Sequence, residues 1–153
     1  MGKVKILFSI RKVKSIGNTV VKNRGLCMQP NDEAPNQRCN SSGCLQCPLV
    51  SNVSNIKVNG KNLRIPNNLN CKTKNAIYLW ECILCIKENF YFGRTVQRSH
   101  LRTNGHRKRF FDGEFQKSAL SMHAKDKHSD NMSMENFRIS VVKETSPRNE
   151  EGI

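Results

Sequence analysis

Apolar residues in this chain come in short runs separated by polar turns, a pattern that favours strands over long buried helices. Three of these runs are rich in aromatic and β-branched residues, as strands are. They cover residues 76–81, 90–93 and 137–142. A weaker alternation over residues 51–70 surrounds Asn59-Gly60, a pair favoured in tight hairpin turns, so a separate hairpin is expected there. The basic stretch from Lys3 to Lys14 also alternates and is interpreted as a strand or an arm.

Two segments between the second and third strand runs are predicted to be helices. The first begins near His100, with Ser99 as its N-cap, and the second spans Ser118 to His128. The predicted fold class is therefore α+β, with a small central three-stranded antiparallel sheet flanked by helices. The expected divisions are a basic N-terminal segment and linker (1–38), a Cys-rich extension (39–71) and the main domain (72–153).

The chain has few large apolar residues for its length. Of 153 residues, 37% are hydrophobic and 7% are aromatic, and the mean hydropathy is -0.61. Because a thin core buries little apolar surface, bound metal is the expected source of additional stability.

Basic residues outnumber acidic ones by 26 to 12, which gives a formal net charge of +14. Such a charge attracts polyanions, and the phosphate backbone of double-stranded DNA is favoured as partner over anionic lipid or a merely soluble cationic surface. No membrane partner is expected, because the sequence has neither an apolar stretch of spanning length nor a long amphipathic basic helix.

The cysteines indicate a metal rather than disulfides. There are seven, an odd number, and four of them form C-x-x-C pairs, Cys44 with Cys47 and Cys82 with Cys85. No secretory signal is recognisable, so these pairs favour metal ligation in a reducing compartment, nuclear or cytosolic.

Two tyrosines followed by an arginine and a histidine form the most informative pattern. Ala76-Ile77-Tyr78 lies in the first strand run and Tyr91-Phe92-Gly93 in the second. Arg102 comes nine residues after Gly93 and His106 four residues later, which places both on one face of a helix. In this order the residues resemble the GIY-YIG nuclease pattern. The C-x-x-C pair between the two tyrosine motifs makes the chain most similar to the endonucleases of Penelope-like retroelements, over residues 71–151.

The resemblance implies hydrolysis of a phosphodiester bond. Tyr78 would take a proton from water, its pKa lowered from about 10 by nearby cations, and Tyr91 would hold the water or the phosphate. Arg102 would contact the phosphate, and His106 would orient it or assist the leaving group. Arg94 would add a further phosphate contact. Taken singly, each tyrosine reads equally well as strand packing and each arginine as a solvated charge.

The resemblance also implies a catalytic divalent cation, Mg²⁺ or Mn²⁺, held by one late glutamate. Glu151, which precedes Gly152 and Ile153, matches that position, and Glu150 and Glu144 are rivals. The relatives continue into a helix at this point, which leaves open whether the domain is truncated here.

Two zinc sites are expected. In the retroelement relatives the C-x-x-C pair is joined by two later histidines, which implies a structural zinc that fastens the strand pair to a helix. Free core cysteines and surface histidines are the alternative. A second site would use a C-x4-C-x2-C cluster, with Cys71 or Cys27 in fourth place. The first set is Cys82, Cys85, His123 and His128, and the second is Cys39, Cys44, Cys47 and Cys71.

The favoured function is a DNA endonuclease that nicks one strand, as in target-primed retrotransposition. The resemblance then implies a nuclear location, with reverse transcriptase and element RNA as partners. One alternative is a zinc-dependent nucleic-acid-binding module without catalysis, which charge and cysteines fit equally well. Another is a repair or junction-cutting nuclease of the same superfamily, although these lack the cysteine pair between the tyrosine motifs.

Overall fold

The computed structural model describes residues 7–8 (backbone), 35–86 and 89–146. In the described residues the strands are β1 (Leu7–Phe8), β2 (Asn55–Val58), β3 (Lys61–Arg64), β4 (Ala76–Cys82), β5 (Phe90–Thr95) and β6 (Phe137–Glu144). The helices are α1 (Ser99–Phe111) and α2 (Ala119–Lys127). No helix in this part of the chain has the length and apolar character needed to cross a bilayer.

The main sheet has the strand order β1-β5-β4-β6. Strands β5, β4 and β6 form the predicted three-stranded antiparallel sheet, and β1 adds two residues in parallel at the β5 edge. The predicted hairpin is also present: β2 and β3 pair antiparallel across Asn59 and Gly60, whose φ angles are 51° and 75°. Two consecutive positive φ angles are what a tight hairpin turn requires, and asparagine and glycine adopt them most easily.

Each face of the main sheet packs against its own core, because side chains alternate between faces along a strand. One face carries Tyr78, Trp80 and Tyr91, which pack with Phe110 of α1 and Leu120 of α2. The other face packs against the β2–β3 hairpin. Its core consists of Ile77, Leu79, Phe90, Phe92 and Val142 from the sheet with Ile56, Val58, Leu63 and Ile65 from the hairpin segment.

The Cys-rich segment packs on the same core as the helices. Leu49 and Val50 are buried there, and Val50 makes a parallel bridge to Ile139 of the edge strand β6. The buried Gln37 side chain extends this contact: its Nε2 donates to Val141 O and its Oε1 accepts from Val141 N, both at 2.7 Å. An amide side chain thus pairs with β6 as a neighbouring strand would.

The start of α1 differs from the prediction. Ser99 lies inside the helix, and Arg98 is the N-cap, with no side-chain hydrogen bond to the first turn. The N–H groups of the first turn, which have no partner within the helix, donate to the preceding loop instead. Ser99 N donates to Thr73 O and His100 N donates to Cys71 O, each at 2.9 Å. The start of α2 is as expected, because Ser118 caps it by accepting from Ser121 N.

Candidate active site and metal centres

Four of the predicted catalytic residues lie together on the helix-covered face of the sheet. The Tyr78 hydroxyl oxygen is at the centre: it accepts a hydrogen bond from Arg102 Nε at 3.2 Å and lies 3.3 Å from His106 Nε2. The Tyr91 ring lies beside them, with its centroid 6.5 Å from the Tyr78 ring and 6.0 Å from the His106 ring. Two phenols, a guanidinium and an imidazole therefore converge on one point.

Strand register explains why the two tyrosines meet. Tyr78 is paired with Gly93, and Tyr91 precedes Gly93 by two residues, so both phenols project from the same face. The Tyr78 ring lies directly over Gly93: a Cβ added to Gly93 would come 2.3 Å from Tyr78 Cζ. Glycine is therefore required at this position, because any side chain would displace the phenol.

Gly93→Ala is expected to destabilise the fold by about 1–3 kcal/mol, the usual cost of overpacking a core. Gly105→Ala is the matched control, since a Cβ there meets nothing within 4 Å. It should stabilise α1 by about 1 kcal/mol, because glycine is a poor helix former. Thermal unfolding of the two variants should therefore shift the midpoint in opposite directions, and a harmless Gly93→Ala would contradict the packing described here.

His106 occupies a different position from the one expected for a residue that touches the phosphate. It is 2% exposed, and its Nδ1 lies 3.2 Å from Ser118 Oγ. Burial, with Arg102 and Arg109 nearby, lowers the pKa of His106 to about 3, so the imidazole is neutral at physiological pH. Since Arg102 donates to the Tyr78 oxygen, the Tyr78 proton is free to point at His106 Nε2. His106 thus contacts the tyrosine in this structure, and its predicted role toward the phosphate or the leaving group stays a prediction.

The pKa of Tyr78 also departs from the sequence expectation. Burial, reinforced by the Tyr91 phenol, raises the pKa of Tyr78 to about 12, and the hydrogen bond from Arg102 only partly opposes the rise. A phenol that is 1% exposed has little water to stabilise its anion. Arg102 alone therefore does not bring this pKa below its usual value, and Tyr78 is protonated at neutral pH in the absence of a bound metal ion. Its lowering by a bound metal ion stays a prediction.

Arg94 is not brought to the phenols. It is paired with Ile77, whose side chain belongs to the hairpin-covered core, and strand alternation places Arg94 on that same face. Its Nε is buried without a hydrogen-bond partner. The predicted phosphate contact of Arg94 is therefore corrected. The candidate ligand Glu151 and its rival Glu150 lie outside the described residues, and Glu144 is exposed at the end of β6.

The first predicted zinc set converges where the β4–β5 connection meets α2. Cys85 Sγ lies 3.3 Å from His123 Nε2 and 3.2 Å from His128 Nε2, and Cys82 Sγ lies 3.4 Å from the same His128 nitrogen. Tetrahedral bonds of about 2.3 Å to sulfur and 2.0 Å to nitrogen separate ligand atoms by roughly 3.3–3.8 Å. The four side chains therefore fit one zinc ion.

The protonation of this set is also compatible with zinc. Burial and the neighbouring His128 lower the pKa of His123, which keeps its imidazole in the neutral form that binds metal. Burial raises the pKa of Cys82 to about 11, so a bound cation would have to displace its proton. Zinc binding here should consequently release protons.

The second set converges at the start of the Cys-rich segment. Cys47 Sγ lies 3.6 Å from Cys39 Sγ and 3.7 Å from Cys71 Sγ, and the ligand atoms of all four cysteines lie within 4.8 Å of one another. Cys71 fills the fourth place, and the rival Cys27 lies outside the described residues. Four sulfurs at these separations could hold a second zinc ion. All four positions of each centre are protein side chains, which is typical of structural zinc.

Two polar residues that contact α1 were not found from sequence. Ser118 was recognised as a helix cap but not as the partner of His106 Nδ1. Gln46, buried between two zinc-set cysteines, contacts α1. A single glutamine in a loop gives no sequence signal, because its role depends on which segment packs against it.

Comparisons with protein families, with curated proteins and with solved structures find no match to this chain. The geometry of the phenols, guanidinium and imidazole is therefore the basis on which a function is assigned.

Proposed function

We propose that the protein is a GIY-YIG-type DNA endonuclease, a hydrolase that nicks phosphodiester bonds with the aid of a divalent cation. The observation that carries the proposal is the Tyr78 hydroxyl, held between Arg102 and His106. Burying a charged and a titratable side chain against one phenol costs desolvation energy that packing alone does not offset. Perturbed titratable groups gathered in this way are more often found at catalytic sites than in structural cores.

Arg102 is the group that contacts the phosphate in this proposal. Its guanidinium is permanently charged, and its planar N–H groups match phosphate oxygens. In the structure its Nε donates to the Tyr78 oxygen and thereby covers it. When Arg102 turns its N–H groups to a phosphate, the Tyr78 oxygen becomes accessible to the attacking water.

Tyr78 and His106 move the proton. Because the pKa of Tyr78 is about 12, a free phenolate is rare at neutral pH, and the tyrosine must lose its own proton as it takes one from water. His106 Nε2, 3.3 Å away, receives it, while Nδ1 stays fixed on Ser118. The negative charge of a bound phosphate favours the imidazolium that forms. Tyr91 lies close enough to hold the water or the phosphate.

The cations have separate roles. A divalent ion, Mg²⁺ or Mn²⁺, would supply positive charge at the phosphate, and Glu151 is its proposed ligand on the sequence resemblance alone. The two zinc ions would be structural, since no ligand position is left for water or substrate.

The surface charge suits double-stranded DNA. The ion pairs among the described residues join Lys108 to Asp112 and Lys117 to Glu114, both exposed. The sequence has 26 lysines and arginines but only 12 aspartates and glutamates, so one-to-one ion pairs would leave an excess of positive charge to attract phosphates. The resemblance to retroelement endonucleases extends the proposal to a nuclear enzyme whose nick primes reverse transcription, acting with a reverse transcriptase and element RNA.

The test is nicking of supercoiled plasmid in Mg²⁺ or Mn²⁺ by wild type and Tyr78→Phe. Removing the hydroxyl while keeping the ring should lower the rate about a hundredfold or more, the usual effect of losing a general base. Zinc content and duplex affinity should not change, because the phenyl ring still packs over Gly93. A wild-type protein that binds DNA but never nicks it would favour the non-catalytic zinc-dependent binding module instead.

A further inference from the structure

The loop of the second cysteine centre contacts the helix that carries Arg102. Gln46 lies between Cys44 and Cys47 and is fully buried. Its Oε1 accepts two hydrogen bonds from α1, one from Ser99 Oγ at 3.0 Å and one from Thr103 Oγ1 at 2.8 Å. One side-chain oxygen therefore ties two successive turns of the helix to the cysteine loop.

A second member of the same centre holds the first turn. The Cys71 carbonyl accepts from both His100 N and His100 Nδ1, each at 2.9 Å. The N-cap Arg98 provides no side-chain hydrogen bond of its own. The free N–H groups at the start of α1 are therefore satisfied in part by the backbone of a cysteine ligand.

We infer that the Cys39–Cys44–Cys47–Cys71 centre positions α1 for catalysis. Gln46 is the positioning residue, because its side chain links the cysteine loop to the helix. Thr103 directly follows Arg102, and it shares the buried face of α1 with His106, three residues later. When the cysteine loop shifts and carries Thr103 with it, Arg102 and His106, which both contact the Tyr78 oxygen, therefore move too. The side-chain hydrogen bonds of Gln46 go to Ser99 and Thr103 of α1. This inference rests on the proposed nuclease function.

The test compares Gln46→Met, Thr103→Val and Gln46→Glu in the zinc-loaded protein. Methionine removes the acceptor at nearly constant volume, and kcat for nicking should fall about tenfold or more, because small misplacements of catalytic groups have large effects on rate. KM for DNA should change less than about twofold. Thr103→Val should give a similar loss, and the double variant should lose little more than either single variant.

Gln46→Glu should have a kcat within about threefold of wild type, because glutamate keeps an acceptor oxygen at this position. The atom it replaces, Gln46 Nε2, is buried without a hydrogen-bond partner, so no bond is lost. A merely space-filling role for Gln46 predicts the reverse order, with methionine tolerated better than a buried carboxyl group. That order, or an unchanged kcat in Gln46→Met, would overturn the inference.

Amide hydrogen exchange over residues 99–106 separates this inference from the proposed function. With bound zinc equal to wild type, Gln46→Met and Thr103→Val should each accelerate exchange there about tenfold, and Gln46→Glu should not. If wild type never nicks, the nuclease proposal fails while this measurement still decides the anchoring of α1. Unchanged exchange in both Gln46→Met and Thr103→Val would refute the anchoring of α1 by Gln46, whether or not the protein cuts DNA.

Discussion

Arg102→Ala is expected to reduce plasmid nicking by about a thousandfold or more, the effect seen when an arginine that neutralises a transferring phosphate is lost. Arg102 also donates to the Tyr78 oxygen, so its removal takes a phosphate contact and a tyrosine contact at once. Duplex affinity should fall only a few-fold, because one of 26 basic residues is lost. Single-turnover nicking and binding at fixed salt measure the two effects separately.

Lys108→Ala is the matched control for this prediction. It removes one positive charge from the same helix, and its partner Asp112 is also exposed to solvent. Its nicking rate should stay within about threefold of wild type, since exposed ion pairs contribute little. Equal losses in both variants would mean that Arg102 contributes only to general attraction of DNA, and the assignment of a phosphate contact beside Tyr78 would be wrong.

Cys85→Ser is expected to remove one bound zinc ion and to lower the unfolding midpoint by about 10–20 °C. Cys85 Sγ is close to both histidine nitrogens, so its loss leaves no complete set. We take the lost zinc binding to cost about 5 kcal/mol of folding stability. In a chain of this size, each kcal/mol lowers the unfolding midpoint by roughly 2–4 °C. Elemental analysis and thermal unfolding measure the two effects.

Cys27→Ser is the corresponding control, because each converging set already has four ligands among the described residues. It should retain two zinc ions per chain and the wild-type midpoint. Loss of metal from Cys27→Ser, or full metal and an unchanged midpoint in Cys85→Ser, would contradict the ligand assignment.

Local sequence patterns predicted the elements that depend on neighbouring residues. The turn at Asn59-Gly60 needs positive φ angles that these two residues adopt, and the Ser118 cap needs only a free N–H three residues later. The convergence of Tyr78 with Arg102 and the first metal set were expected from the resemblance, and the second metal set was expected from cysteine spacing. Each of these depends on chemistry that few other residue types provide.

Prediction from sequence was least accurate for side chains whose surroundings are formed by segments distant in the chain. The burial of His106 and its contact with the Tyr78 hydroxyl result from packing between α1, α2 and the sheet. Arg94 was assigned from the resemblance, whereas strand alternation puts a residue directly after Gly93 on the opposite face from the phenols. The high pKa of Tyr78 reflects desolvation, which no motif records.

The contact of the Cys-rich segment with β6 has a consequence for solubility. Edge strands with open N–H and C=O groups recruit strands from other molecules, and natural proteins cover or interrupt such edges. Here the Gln37 amide and the bridge at Val50 occupy the outer edge of β6. Both belong to the segment that carries three of the four cysteines of the second centre, so zinc bound there would stabilise its folding. Oxidation or loss of those thiols is therefore expected to uncover this edge of the sheet and to promote self-association.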